Sequence, residues 1–517
     1  MVHRARRQSL ALSGERLTSS EFYDVVLHDR PAHLAARSRA RMHASYRVVR
    51  QAAAQTKPVY GVNTGFGKLA DKRIPRSDIF QLQVNLVRSH AAGVGDPLTR
   101  EEARGLMLLR ANVLARGYSG VRPVLVDSLL TLLNRDVWPV IPSRGSVGAS
   151  GDLAPLAHLA LVLIGEGHAF IGTRRVPGRT ALARAGLNPL HLEAKEGLSL
   201  VNGTQAMLSL GLLALRRCGH LVDAADSAGA LTLEALKGTP VAFDPRLHRL
   251  RPHPGQQTVA ANLRMLVAHS RIRASHMDCP RVQDAYSLRC MPQVHGTVRD
   301  ALGYVRRIFT VEMNSVTDNP VVFADRREVL SGGNFHGQPL GLALDHLAIA
   351  MSELASISER RIERLTNPEY GDLPPFLSPH PGLNSGFMIA QVTAAALTSE
   401  NKVLSHPASV DSIPTSGNRE DHVSMGMGSA LKLKQILSNT EHILAIELLC
   451  AAQGVEFHYP LQPGLGSRKI LRLIRQRVPR LTQDRVLATD IAKVGELVAS
   501  GTLSTLFRSS ANERMSQ

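Results

Sequence analysis

Apolar residues recur at helical spacing along most of this chain. In "LTREEARGLMLLRANVLARG" (98–117) they fall three and four positions apart, the period of one helix face. Thr99 precedes that run and Glu102 follows three residues later, a capping box that predicts where the helix starts. The same period runs through 153–165, 204–236, 256–275, 296–314, 336–365, 385–404, 426–453 and 481–500. Several of these exceed about 25 residues, long for a compact α/β protein and ordinary for a helical bundle. Strand signals are few: "HAFIGTRRVPG" (168–178) and "PVVFADRREVLSGG" (320–333) read as small surface hairpins. The expected fold class is therefore mainly α, an elongated bundle of long helices with small β-hairpins. A basic flexible tail is expected over 1–9, an N-terminal domain over 10–200 and a central and C-terminal long-helix domain over 201–517, with a soft boundary near 195–203.

Composition narrows the function classes. Aromatics make up only 4% of the 517 residues, which favours helices over sheets. The net charge of +18 raises nucleic acid as a partner. Arginines do concentrate over 4–50 and 468–485, yet neither stretch interleaves them regularly with aromatics for base stacking: 4–50 holds only Phe22, Tyr23 and Tyr46, and 468–485 holds none. Lysine is scarce, 10 against 51 arginines, as a compositional bias would give, so nucleic-acid binding is not expected. The best apolar run, "AMLSLGLLAL" (206–215), is too short to span a bilayer, and no secretory signal is read at the N-terminus. Cys218, Cys279, Cys290 and Cys450 are far apart, without metal-binding spacing, so no metal is expected and a reducing, cytoplasmic setting is.

Chemistry is expected in the loops. "VYGVNTGFGKL" (59–69), "SLVNGTQAM" (199–207), "VQDAYSLRCMPQVHG" (282–296), "GGNFHGQP" (332–339) and "PTSGNREDHVSMG" (414–426) carry Tyr, Asn, Arg, Gln, Glu and His between rigid helices. Most unusual is "GSVGASGDLAPL" (145–156), which runs from three glycines straight into an apolar helix. Ser150 or Asp152 could cap that helix, and Pro155 suits its first turn. Neither phosphate-cradling spacing of glycines is present.

Together these segments resemble the histidine and aromatic amino acid ammonia-lyases, from about residue 10 to about residue 500. "GASGDLAPLAH" (148–158) matches that family's most specific motif. The resemblance implies that Ala149, Ser150 and Gly151 cyclise into a methylidene-imidazolone ring, MIO, with loss of two waters and no dissociable cofactor. Ser150 would supply the exposed methylene, and Asp152 would help move protons during closure. Elimination of ammonia from an α-amino acid needs a strong electrophile, which no standard side chain provides. A lysine-bound pyridoxal is set aside because no suitable lysine is read in these loops, and the fumarase and aspartase signature is not found.

The resemblance assigns Tyr60 to removal of the β-proton, which a phenol does only if its site lowers its pKa. Arg289 would clamp the substrate carboxylate, and Asn202, Gln283, Tyr286 and Phe335 would line the ring and hold the substrate. Singly, each fits an ordinary loop or core side chain; their joint occurrence in order carries the weight. The Ser89-His90 pair and Glu420 match the histidine branch, with a carboxylate for an imidazole. Arg419 departs from the usual glutamine and adds a cation beside Glu420. The implied activity is conversion of L-histidine to trans-urocanate and ammonia by a cytoplasmic homotetramer whose sites draw on more than one subunit. The rivals are a tyrosine or phenylalanine lyase or aminomutase, or an inactive helical nucleic-acid-binding protein.

Overall fold

The computed structural model describes residues 8–277 and 282–507, which excludes Cys279 and most of the expected tail. The chain is mainly helical. Its longest helices are Gln205–Ala235, Met291–Met313, Gln338–Thr366 and Gly426–Glu456, each within a few residues of the periodic segment that announced it. The capping box forms: Glu102 N–H donates to Thr99 Oγ1 at 3.3 Å and Thr99 N–H to Glu102 Oε2 at 2.8 Å. The helix that it starts, Arg100–Ala115, is buried from Glu102 onward on every side. It is a core helix, not an amphipathic surface one.

Two expected helices are shorter. Segment 256–275 forms Pro254–Leu266, then a break with His269 at φ 59°, then Arg271–Ala274. Segment 481–500 becomes helical only from Leu487. Both hairpins are present, as His168–Ile171 with Arg174–Pro177 and Val321–Phe323 with Glu328–Leu330. Val137–Pro139 adds a third strand to the first of them.

Contacts divide the chain into two units, each discontinuous in sequence. One comprises the residues up to Leu213 with Arg306–Leu344 and Pro407–Leu431. The other comprises Ala214–Val305, Asp345–His406 and the residues from Lys432 on. The second unit buries a charged network. His295 Nδ1 lies 2.8 Å from Asp226, which Arg299 meets at 2.6 Å, and Arg361 pairs with Glu447 at 2.5 Å. Buried charges of this kind are stable only when paired. Gln338–Thr366 is long and apolar enough to cross a membrane by length and composition alone, which the apolar runs had not indicated. Its most apolar window is 61% buried inside the protein, as in a core helix.

Candidate active site

All the residues that meet in the candidate site belong to the first unit. Its centre is the tripeptide Ala149-Ser150-Gly151. Gly151 has φ 75°, and a Cβ there would lie 2.1 Å from the Gly203 carbonyl oxygen, so only glycine fits. Asp152 N–H donates to that same carbonyl at 2.7 Å. On the other side, Ser424 Oγ donates to Gly148 O at 3.1 Å and Met425 N–H to Val147 O at 2.8 Å. The tripeptide is thus gripped between the loops around 203 and 424.

Asp152 does not cap the helix it precedes. Leu153–Leu163 receives no side-chain cap from it. Its carboxylate instead accepts from Ala206 N–H and Met207 N–H at 2.9 Å each, and from Ser146 Oγ at 3.1 Å. It satisfies the open N–H groups of Gln205–Ala235, whose dipole favours a negative charge there. Full burial pushes its pKa up to about 7, with those hydrogen bonds pulling the other way and Glu312 adding to the rise. Ser150 caps nothing either: its Oγ donates to Glu420 Oε1 at 2.9 Å.

A cavity of about 320 Å³ opens on Ser150, within the range of small-molecule sites. Tyr60, His90, Asn202, Phe335 and Glu420 line it, as the sequence led one to expect. Glu420 Oε2 accepts from Thr415 and Ser416 hydroxyls at 2.7 and 2.8 Å, so three hydroxyls orient this carboxylate. His90 Nδ1 lies 2.9 Å from Leu86 O, an acceptor, so Nδ1 carries the proton and Nε2 is left as an acceptor. Burial pulls its pKa below the ordinary histidine value, while Leu86 and Glu420 oppose that shift. The ring is neutral at pH 7. Tyr60 Oη accepts a long contact from Gly67 N–H at 3.5 Å. Its pKa is raised, not lowered: burial comes first, the Gly67 contact opposes it, and Glu420 adds to it. Burial and the Glu420 carboxylate both favour the neutral phenol.

Three expected residues do not join this cavity. Gln283, Tyr286 and Arg289 belong to the second unit. Tyr286 is 72% exposed, and the Arg289 guanidinium lies over its ring, 4.5 Å from the centroid. Arg419 is not a cation beside Glu420 in the cavity wall; it is exposed and lies 3.7 Å from Asp71. Lys68, by contrast, lines the cavity, although its loop was read as lacking a suitable lysine. Asn319 and Ser416 were also missed. Lys68 and Ser416 stood inside quoted loops, so type and position were a usable signal. Asn319 reaches the site through contacts distant in sequence.

Residues 17–476 match the aromatic amino acid lyase family. A histidine ammonia-lyase of Koribacter versatilis is 55% identical over 514 residues, which cover 97% of this chain and 100% of that one. The crystal structure of histidine ammonia-lyase from Trypanosoma cruzi superposes with a TM-score of 0.89 at 44% identity, over 97% of this chain and 95% of that one. Tyrosine aminomutase from Streptomyces globisporus gives 0.91 at 38% identity, over 97% and 98%.

Proposed function

The chain belongs to the aromatic amino acid lyase family, and on that premise we propose that it eliminates ammonia from L-histidine to give trans-urocanate. The single observation that carries the choice of substrate is the carboxylate of Glu420, set by three hydroxyls in a cavity that also holds neutral His90. An imidazole N–H suits such an acceptor, whereas a phenyl ring would leave the charge unpaired. The names of the relatives support the same reading.

The tripeptide fits the ring that this family uses. Gly151 lacks the Cβ that would obstruct closure, and Ser150 faces the cavity. Once formed, the MIO ring supplies an electrophilic methylene at the former Ser150 Cβ. Its formation removes the Ser150 hydroxyl, which frees Glu420 Oε1 for the substrate. Tyr60 takes the β-proton at its phenol oxygen when that oxygen is deprotonated, a form that its raised pKa moves to alkaline pH. Asn202 and Phe335 bound the substrate, and Asp152 holds the loop beneath and serves proton movement during closure.

Glu420→Gln tests the substrate assignment. Losing a charge-assisted hydrogen bond costs about 1.5–3 kcal/mol. The expected fall in kcat/KM for histidine is roughly 10- to 150-fold, at about 1.4 kcal/mol per decade. The same change removes a charge that a phenyl ring cannot pair, so activity on phenylalanine relative to histidine rises. Equal losses on histidine, tyrosine and phenylalanine would show that Glu420 supports the site without reading the ring.

Arg289, Tyr286 and Gln283 complete the site from a neighbouring copy in a homotetramer, which accounts for a carboxylate clamp that lies outside this chain's own cavity. Tyr60→Phe and Arg289→Ala are each nearly inactive on this account. Co-expressed, they recover measurable activity, because some sites then pair an intact Tyr60 with an intact Arg289. Two variants that stay inactive together would place both residues in one copy's site.

A further inference from the structure

Arg110 sits in the middle of the buried helix Arg100–Ala115 and is 0% exposed. Its Nη1 donates to Asn202 O and to Gln205 Oε1, both at 2.7 Å. Gln205 Nε2 in turn donates to Thr317 Oγ1 at 2.8 Å, which fixes which way the amide faces. The Arg110 Nε and Nη2 donors have no hydrogen-bond partner among the described residues. The carboxylate whose field it feels, Asp318, already pairs with buried Lys195 at 2.9 Å. Two buried cations thus share one anion. That arrangement is costly, and an apolar side chain of similar volume would fill the space without the cost.

What the guanidinium holds is the backbone that presses on the tripeptide. The Asn202 carbonyl begins the peptide to Gly203. The Gly203 Cα is so close that a Cβ there would meet Arg110 Nη1 at 2.6 Å and Gln205 Oε1 at 2.5 Å. Gly203 O receives Asp152 N–H, and Gly203 forms a bridge with Gly151. The path from the cation to the tripeptide has two links, Arg110 to Asn202–Gly203 and Gly203 to Gly151–Asp152.

We infer that Arg110 is a positioning residue for ring formation: it pins Asn202–Gly203 against Gly151 and so holds the tripeptide bent toward closure. This rests on the reading that the ring forms in this chain. In the closure, Gly151 N bonds to the Ala149 carbonyl carbon and its proton passes to the Ala149 oxygen. That oxygen leaves as water with the Ser150 amide proton, giving a C=N bond. The Ser150 hydroxyl then leaves as the second water with the Ser150 α-proton, giving the methylene. Arg110 touches none of these atoms. It sets how often the Gly151 nitrogen reaches the carbonyl two residues back.

The test is the intact mass of the purified full-length protein, followed over time after synthesis, alongside the thermal midpoint. Wild type should be lighter than its sequence mass by two waters. Arg110→Met should reach that mass about 10- to 150-fold more slowly, the effect of losing a charged hydrogen bond. Arg110→Lys should recover part of the rate. Thr317→Val keeps the cation and changes little volume, so it provides the folded variant if Arg110→Met does not fold. It should slow dehydration in the same direction by a smaller factor. Folded variants that lose both waters at the wild-type rate, even with a lowered midpoint, would give Arg110 a purely structural role and overturn the inference. A wild type at full sequence mass would instead overturn the reading on which the inference rests.

Discussion

With alanine at position 150, the protein should fold and lose almost all of its activity. The hydroxyl makes one hydrogen bond, to Glu420, which keeps its contacts with Thr415 and Ser416. The stability cost of Ser150→Ala is therefore on the order of 1 kcal/mol. The chemical cost is of another kind. Alanine has no β-hydroxyl to lose, so no methylene forms and the amino group of the substrate meets no electrophile. Removing the group that bonds covalently to substrate costs at least about 10³-fold in kcat. Steady-state assays on protein shown to be folded by circular dichroism check this. Activity within tenfold of wild type would remove Ser150 from the chemistry.

Tyr60→Phe should lose about 10²- to 10⁴-fold in kcat, the usual worth of a general base, while the mass of the protein stays lower by two waters. The pH profile should carry the sign of the environment. Burial and Glu420 raise the Tyr60 pKa above the ordinary phenol value, and burial lowers that of His90 below the ordinary imidazole value. The base form of Tyr60 therefore grows as pH rises toward and past about 10, the usual phenol value. His90 stays neutral across the same range. Wild-type kcat should climb from neutral into alkaline pH with no descending limb from either group, and Tyr60→Phe should lose the Tyr60 contribution to that climb. A wild-type maximum near pH 7 with a fall above it would assign proton removal to another group.

The helices were legible because period and caps agree at each of them. Thr99 with Glu102 set one helix start correctly, and the four longest helices follow from unbroken apolar spacing. The break before Arg271–Ala274 was not legible, since His269 takes a left-handed φ of 59° that its residue type does not announce. Asp152 reads as a cap for the helix beginning next to it, yet it caps one that begins more than fifty residues later. Sequence shows only the nearer candidate. The cavity residues Tyr60, His90, Ser150, Asn202, Phe335 and Glu420 were found through motif order, which survives distance along the chain. Arg110 was passed over because one arginine inside "LMLLRANVL" looks like a polar position on a helix face, and the helix proves to be buried all round. Lys68 was passed over because residue type alone does not say which loop side chains turn inward.

The most direct measurement of the reaction and its substrate is kcat/KM of the purified wild type with L-histidine, L-tyrosine and L-phenylalanine in separate incubations, read from the conjugated product in the ultraviolet. The expected result is urocanate from histidine, with the other two amino acids turned over far more slowly or not at all. Preference for tyrosine or phenylalanine, or a β-amino acid as the product, would contradict the account.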